Sequence, residues 1–322
     1  MPDLLVALLL LLLMLAVAVG WIGTFRLTRG VRHTSLTAAA AWAIWFQATL
    51  TVTTIATLAN GRVPPGIRDQ LWYLTAVSAL CPFVAVLGAR RSRLLEWSLF
   101  IVLPLIVVLE WSPLAQLTGC WNGQRLELEL PTVVGYGLVM LMCLGTYFFN
   151  SGRFSTAVGV WTSSWSLFVF ATLMAPSKQV VRDGNSQIDN LAIAIMQLMF
   201  WGIVGVAAKN APRHFGWNRV WMDFRDWFGV AWATRLSARI NEVAVREQWP
   251  WRLSHAGWRS ASGEGLPAEP PVNDPRVEQT CCWLLKPFVD PKWIDERLGR
   301  DRGQALRNSE LAVRPIPVVP SS

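Results

Sequence analysis

Seven apolar runs, each long enough to cross a bilayer as a helix, recur before residue 210, and none follows it. A helix needs roughly 20 predominantly apolar residues to cross about 30 Å of hydrocarbon. We predict spans at 3–25, 36–59, 70–89, 94–111, 132–149, 154–175 and 190–208. Only 16% of the residues are charged, against about 25% in soluble domains. The predicted fold is therefore an all-α, polytopic integral membrane helical bundle.

The basic residues of the short loops set the orientation of the bundle, because cytoplasmic loops carry the excess of Lys and Arg. The loops after the first, third and fifth spans contain seven basic and no acidic residues, whereas the alternate loops contain five of each. We therefore predict the N-terminus outside and the C-terminus in the cytoplasm. Arg outnumbers Lys 25 to 4, which favours a bacterial source and a multi-pass protein of the cell inner membrane.

The first apolar run has an alternative interpretation as a signal peptide. Ala16-Val17-Ala18 has the small-x-small form of a cleavage site. Against cleavage, Asp3 and the absence of Lys or Arg make the start of the chain unlike a basic signal-peptide n-region. We predict an uncleaved span, and cleavage would leave six spans in the same orientation.

The chain after the last span has a different composition, with 17 basic and 13 acidic residues in 209–322. After the transmembrane domain 1–208, we predict juxtamembrane amphipathic helices over 209–259 and a flexible linker over 260–275. In residues 276–302 we predict two short helical turns. This segment is too small to have a core of its own, so we expect it to dock on the bundle or on another protein. Residues 303–322 are predicted to be a disordered tail.

An aromatic helical face follows the last span directly. At 100° per residue its members share an arc of about 140°, and they are Trp217, Trp221, Phe224, Trp227, Phe228 and Trp232. Arg235 and Arg239 would continue this face, so the helix must end, kink near Gly229 or change its packing surface. Two interpretations stay open: burial in the membrane interface, or contact with a protein partner or second copy. The small basic excess argues against nucleic-acid binding.

The predicted spans contain few charged residues. Glu96 and Glu110 lie at the two ends of the fourth span, where each is expected to reach the interface. The uncharged span centres argue against a proton-coupled transporter, an ion pump and a retinal-type receptor, which need charge at depth.

Tryptophan and glutamine occupy one level of the predicted bundle. These residues are Trp45, Gln47, Trp161, Trp165, Gln197 and Trp201. One interpretation is a ligand path suited to an apolar or neutral molecule. The other is helix packing, in which the two glutamines bond across helix interfaces.

Several local patterns make smaller predictions. Pro82 and Pro104 are expected to kink the third and fourth spans because proline removes a helical hydrogen bond. The threonines of the second span are expected to bond to backbone carbonyls or to neighbouring helices. The alternating residues 126–130 predict a short hairpin or interfacial ribbon outside the membrane.

Catalytic and cofactor motifs do not occur in the sequence. It contains no P-loop, dinucleotide glycine pattern or nucleophile elbow. His33, His214 and His255 fall at or beyond the cytoplasmic interface, which excludes paired haem ligands inside the bundle. Cys281 and Cys282 are adjacent and lack the spacing of a zinc site. We predict no catalytic, cofactor-binding or metal-binding residue and no cofactor.

These observations favour a non-enzymatic scaffold, assembly or sensing subunit of a membrane complex. Its expected partners are the lipid bilayer and a protein, or a second copy, bound through the cytoplasmic segment. The alternative is a carrier or flippase for an apolar or neutral solute along the Trp and Gln path. A membrane-embedded lipid-modifying enzyme is a third possibility, with only Glu96, Glu110, His33 and His214 to supply its acid and base groups.

Overall fold

The computed structural model describes residues 2–59, 62–88, 96, 98–127, 132–148, 152–173, 187–262 and 270–300. Over these residues the chain is mostly helical and contains a two-stranded sheet. The chain divides into two compact units, Met1–Ala211 and Pro212–Ser322. The predicted helical character is confirmed, whereas the all-α class is wrong because the second unit contains a β-hairpin.

The described helices of the first unit overlap the predicted spans, except for the short helix Leu117–Trp121, which lies in the connection between the fourth and fifth predicted spans. In chain order the helices are α1 (Pro2–Gly30), α2 (Thr37–Leu58), α3 (Pro65–Leu87), α4 (Leu103–Ala115), α5 (Leu117–Trp121), α6 (Thr132–Phe148), α7 (Ser155–Leu173) and α8 (Gln187–Lys209). Three of them contain stretches long and apolar enough to cross a membrane, at Leu10–Gly30, Thr37–Leu58 and Pro65–Leu87. Shorter apolar stretches occupy parts of α4, α6 and α8. The total of seven spans stays a prediction.

Large apolar side chains project from the surface of the first unit. Val108 is 72% exposed, and Leu11, Met140 and Trp111 are also exposed. A soluble monomer rarely exposes extensive apolar surface, whereas hydrocarbon accommodates it without cost. The exposed side chains thus agree with the three candidate spans in associating this unit with a membrane.

Small residues allow α1 to pack closely against α2 and α8. A Cβ atom added at Gly20 would lie 2.7 Å from the Gln47 amide, and one added at Gly23 would lie 2.1 Å from the Trp201 ring. Close approach through small residues is the usual way in which membrane helices gain packing contacts. The two glycines therefore fix the contact surfaces of α1.

Threonine hydroxyls bond within and between α2 and α3, as the sequence predicts. The Thr57 hydroxyl donates to the Thr53 carbonyl at 2.9 Å, and the Thr53 and Thr75 hydroxyls lie 2.8 Å apart across the two helices. In the fourth predicted span, a π-helical segment, Ser98–Val102, gives way to α4, whose second residue is Pro104. Pro82 lies inside α3, and the kinks at the two prolines stay predictions.

The second unit is organised around a long kinked helix, α9 (Gly216–Arg246). The backbone of Gly229 leaves the helical region, with φ 79° and ψ 174°. A positive φ favours glycine because the residue has no Cβ. This kink confirms the prediction made from Arg235 and Arg239, since it rotates the surface that the second half of α9 presents.

A β-hairpin follows α9, made of β1 (Trp251–Ser254) and β2 (Gly257–Ser260). Leu253 pairs with Trp258 across it, and both side chains are buried. The Asn241 side chain bonds to the backbone N–H and C=O of Leu253, at 2.8 Å each, and Asn218 accepts from the Trp258 N–H at 2.9 Å. The prediction of helices throughout 209–259 is therefore wrong for 251–259, where α9 side chains satisfy the hairpin backbone.

Two short helices complete the second unit, as predicted: α10 (Pro275–Leu285) and α11 (Pro291–Leu298). Asp274 caps α10 by accepting from the backbone N–H groups of Arg276 and Val277. Both helices contact α9. Within the second unit, both helices thus dock on α9.

The remaining predicted boundaries change or lie outside the described residues. Ser260 belongs to β2 and Pro275 to α10, so the predicted linker 260–275 is too long at both ends. Residues 263–269, the tail 303–322 and residues 128–130 of the predicted outer hairpin lie outside the described part of the chain. Glu127 is described, and its backbone bonds at both N–H and C=O to the Gln116 side chain.

Candidate functional site at the buried polar pairs

The aromatic side chains of the predicted Trp and Gln level pack against one another. The Phe46 ring centroid lies 5.4 Å from that of Trp161 and 6.2 Å from that of Trp165. Phe200 lies 4.9 Å from both Trp161 and Trp201. These separations are those of directly interacting rings. Sequence reasoning missed Phe46 and Phe200, which join the tryptophans into one cluster and support the packing interpretation.

The other members of this level behave differently from one another. Trp45 is 45% exposed, whereas Gln47 is buried and donates from Nε2 to the Val17 carbonyl on α1 at 3.2 Å. The predicted bond across a helix interface is thus confirmed for Gln47. Gln197 is also buried, but its Nε2 and Oε1 atoms have no hydrogen-bond partner among the described residues. A buried amide without hydrogen bonds lowers the stability of the folded chain unless a further group bonds to its donor and acceptor.

The aromatic face of α9 lies largely inside the second unit. Trp217, Trp221, Phe224 and Phe228 are buried. Phe288, from the loop between α10 and α11, packs edge-on against Phe224 at 5.6 Å and Phe228 at 5.4 Å. The prediction that this face lies in a membrane interface or against a partner is therefore wrong for Phe224 and Phe228, because Phe288 of the same chain covers both rings.

The two other aromatic residues of that face remain partly accessible. Trp227 and Trp232 are half-buried. Trp232 contacts Phe288 at 4.9 Å between ring centroids, and the Arg235 guanidinium lies 5.4 Å from the Trp232 ring. Their role at an interface stays a prediction.

Charged side chains from α11 and the residues after it tie the second unit together. Arg297 donates from Nε to Asp223 of α9 at 2.8 Å, and its guanidinium lies 3.6 Å from the centre of the Trp293 ring. Arg300 bonds to Glu278 of α10 and donates to the Val272 carbonyl at 2.9 Å. Hydrogen-bonded ion pairs between elements hold the short helices in register with α9.

Two buried polar pairs occur near the start of α3, in a part of the chain that the sequence predicts to lie outside or at the outer interface. In the first, Asp69 accepts from Arg125 at 2.8 Å and 3.1 Å, and from the Leu126 N–H at 3.4 Å. This bidentate arrangement neutralises the buried carboxylate. It also anchors the segment after α5 to α3.

The second pair is formed by Gln70 on α3 and Glu110 on α4. Gln70 is 8% exposed and Glu110 is 4% exposed, and Gln70 Nε2 donates to Glu110 Oε2 at 2.9 Å. Tyr73, one turn further along α3, donates its hydroxyl to the Leu109 carbonyl at 2.9 Å. The Glu110 side chain is therefore covered by α3, and its position at the membrane interface stays a prediction. An ionisable residue buried in this way is the strongest functional candidate in the first unit.

The pKa values of three thiols outside the candidate spans, Cys120, Cys281 and Cys282, are raised. Burial, with a smaller effect of the Asp69 charge, raises the pKa of Cys120. Burial raises the pKa of Cys281, and burial together with Glu278 and Asp295 raises the pKa of Cys282 to about 12. Nucleophilic cysteines require the opposite shift. Within the described ranges, no group of three or more His, Cys, Asp or Glu side chains is placed to hold a metal ion.

Comparison with known proteins identifies no relative of this chain. No protein-family model matches the chain, and no curated protein or solved structure matches it.

Proposed function

We propose that this chain is a non-enzymatic, multi-pass inner-membrane protein that holds a folded cytoplasmic unit at the membrane as a scaffold, assembly or sensing subunit. The observation that carries the proposal is the core of the second unit, in which Phe224, Phe228 and Trp293 are fully buried. A unit with its own aromatic core, attached to apolar helices, is suited to presenting a fixed surface to a partner. The high pKa values of Cys281 and Cys282 also fit a role without covalent chemistry.

The test compares the full chain with a truncation at the division between the units. Both forms are extracted in mild detergent, and chemical cross-linking with mass spectrometry measures the stoichiometry of each complex. We expect the full chain to hold a protein partner, or a second copy, in a fixed ratio, and residues 1–211 to lose it while remaining monodisperse. Purification of the full chain as a lone monomer would contradict the proposal, and so would a complex that 1–211 retains.

A carrier or flippase for an apolar or neutral solute is the second candidate, because Gln197 favours it. Its buried amide has an unpartnered donor and acceptor within the described structure, which a carbonyl or hydroxyl of a passing solute would complete. In proteoliposomes with fluorescent phosphatidylcholine, which carries no net charge, a flippase lets dithionite bleach more than the outer leaflet. The Gln197→Leu variant should lose that excess, and liposomes that bleach equally with and without protein would rule out lipid transport.

A further inference from the structure

Two buried oxygen atoms flank the hydrogen bond between Gln70 and Glu110. Gln70 Nε2 donates to Glu110 Oε2, while the second oxygen of Glu110, Oε1, and the amide oxygen of Gln70 have no partner among the described residues. Both side chains are more than nine-tenths buried. In the ionised state of Glu110 each of these oxygens is an acceptor only. With Glu110 ionised, the pair therefore has two buried acceptor oxygens, Glu110 Oε1 and Gln70 Oε1, and no donor between them.

A single proton supplies that donor. When Glu110 is a carboxylic acid, its Oε1–H group donates to Gln70 Oε1 while Gln70 Nε2 continues to donate to Glu110 Oε2. The two side chains then close a ring of two hydrogen bonds. The neutral acid also avoids a bare negative charge in apolar surroundings, where burying an unpaired charge is strongly unfavourable.

Two neighbouring donors, the Arg125 guanidinium and the Tyr73 hydroxyl, bond to other groups. The charged or titratable groups on α3 and on the described residues that follow α4 are Arg68, Asp69, Tyr73, Cys81, Cys120, Arg125 and Glu127. Arg125 donates to Asp69, and the Tyr73 hydroxyl donates to the Leu109 carbonyl. Burial, with a smaller effect of the Asp69 charge, raises the pKa of the Cys120 thiol.

We infer that Glu110 and Gln70 form a proton-binding site between α3 and α4, in which Glu110 binds the proton and shares it with the Gln70 amide oxygen. Release of the proton leaves two acceptors facing each other and weakens the contact between the helices. The packing of α4 on α3 thus depends on pH. The inference goes beyond the scaffold proposal and does not rely on it, because it concerns the first unit alone.

Infrared difference spectroscopy of the full chain in lipid nanodiscs tests the inference. We expect a carboxylic-acid C=O band that shifts in D2O, fades as pH rises and is absent in Glu110→Gln. The matched control is Glu127→Gln, since the Glu127 side chain is exposed, and this variant should keep the band. A wild-type spectrum identical to that of Glu110→Gln at every pH would overturn the inference. Replacement of choline by Na⁺ at constant pH should leave the band unchanged, and its loss would identify a metal-cation site instead.

Thermal unfolding provides a second measurement that does not depend on the band. The glutamine of Glu110→Gln can donate to Gln70 Oε1 and accept from Gln70 Nε2, so it mimics the protonated acid. We expect this variant to fold with a Tm equal to that of the wild type at low pH. The wild-type Tm should fall as pH rises, because the stabilising proton is lost, while the Tm of the variant should change less. Equal pH dependence of the two proteins would contradict the inference.

Discussion

Replacement of Phe288 by alanine should destabilise the second unit strongly. Phe288 is 3% exposed, and its ring contacts those of Phe224, Phe228 and Trp232 at centroid distances of 5.6, 5.4 and 4.9 Å. Truncation of a buried phenylalanine costs about 3–5 kcal/mol in lost transfer energy and cavity formation. This cost already includes the loss of the aromatic contacts, which contribute about 0.5–1.5 kcal/mol each. We therefore expect Phe288→Ala to lower the free energy of unfolding by about 4 kcal/mol, a large part of the roughly 5–15 kcal/mol of a typical domain.

Hydrogen exchange measured by mass spectrometry on the full chain in detergent reports the change in the free energy of unfolding for each peptide separately. A loss of about 4 kcal/mol corresponds to roughly a thousandfold lower protection, since each 1.4 kcal/mol is tenfold. We expect that loss in peptides from α9, α10 and α11 and no change in α2 or α3. Trp283→Ala is the matched control: Trp283 lies on α10 and is 67% exposed, so its truncation should change stability by about 0.5 kcal/mol or less.

An equal effect of the two substitutions would refute the reasoning. It would mean that Phe288 does not cover the aromatic face of α9. The face would then be free to lie in the membrane interface, as its periodicity first suggested.

Three further predictions concern single contacts. Gly23→Ala forces a Cβ into a tryptophan ring of α8 and should cost about 1–3 kcal/mol in thermal unfolding in detergent, whereas Gly202→Ala, which meets no atom within 4 Å, should not destabilise the chain. Although burial opposes it, hydrogen bonds from Arg276 and two backbone N–H groups lower the pKa of Asp274. The stability from this cap is therefore complete above the unfolded pKa and is lost as pH falls through the lower folded pKa. Asp274→Asn should keep most of the roughly 1 kcal/mol of a helix cap and lose part of this acid sensitivity, measured as Tm against pH. Arg297→Leu should cost about 1.5–3 kcal/mol in protection of α11 amides, and unchanged exchange would show that the ion pair to α9 contributes nothing.

Local sequence patterns predict the helical elements well because their causes are local. Apolar runs gave helices in the first unit, and three contain stretches that can cross a membrane. Arg235 and Arg239 predicted a break near Gly229, since a straight helix would have carried both onto the aromatic face. The two short helices after residue 275 also followed from the local pattern of prolines and apolar residues.

What covers a helix face cannot be predicted from its periodicity. Phe288, which covers the α9 rings, lies some 60 residues further along the chain, and nothing near it marks the contact. The buried pair of Gln70 and Glu110 could not be predicted for the same reason, because the two residues are 40 positions apart in the sequence. The position of Glu110 near the end of a predicted span is compatible with an exposed side chain, but the packing of α3 on α4 buries it. The hairpin at 251–260 was missed because its strands are short and its backbone is completed by asparagines of α9.

The central claim is that the chain spans the membrane and holds the second unit in the cytoplasm. Single-cysteine labelling tests it most directly, with the five native cysteines replaced and a membrane-impermeant maleimide applied to spheroplasts before and after lysis. Asn122→Cys and Ser262→Cys report the two sides, since both residues are exposed. We predict that Asn122→Cys reacts in intact spheroplasts and that Ser262→Cys reacts only after lysis. Labelling of Ser262→Cys in intact spheroplasts would contradict the account.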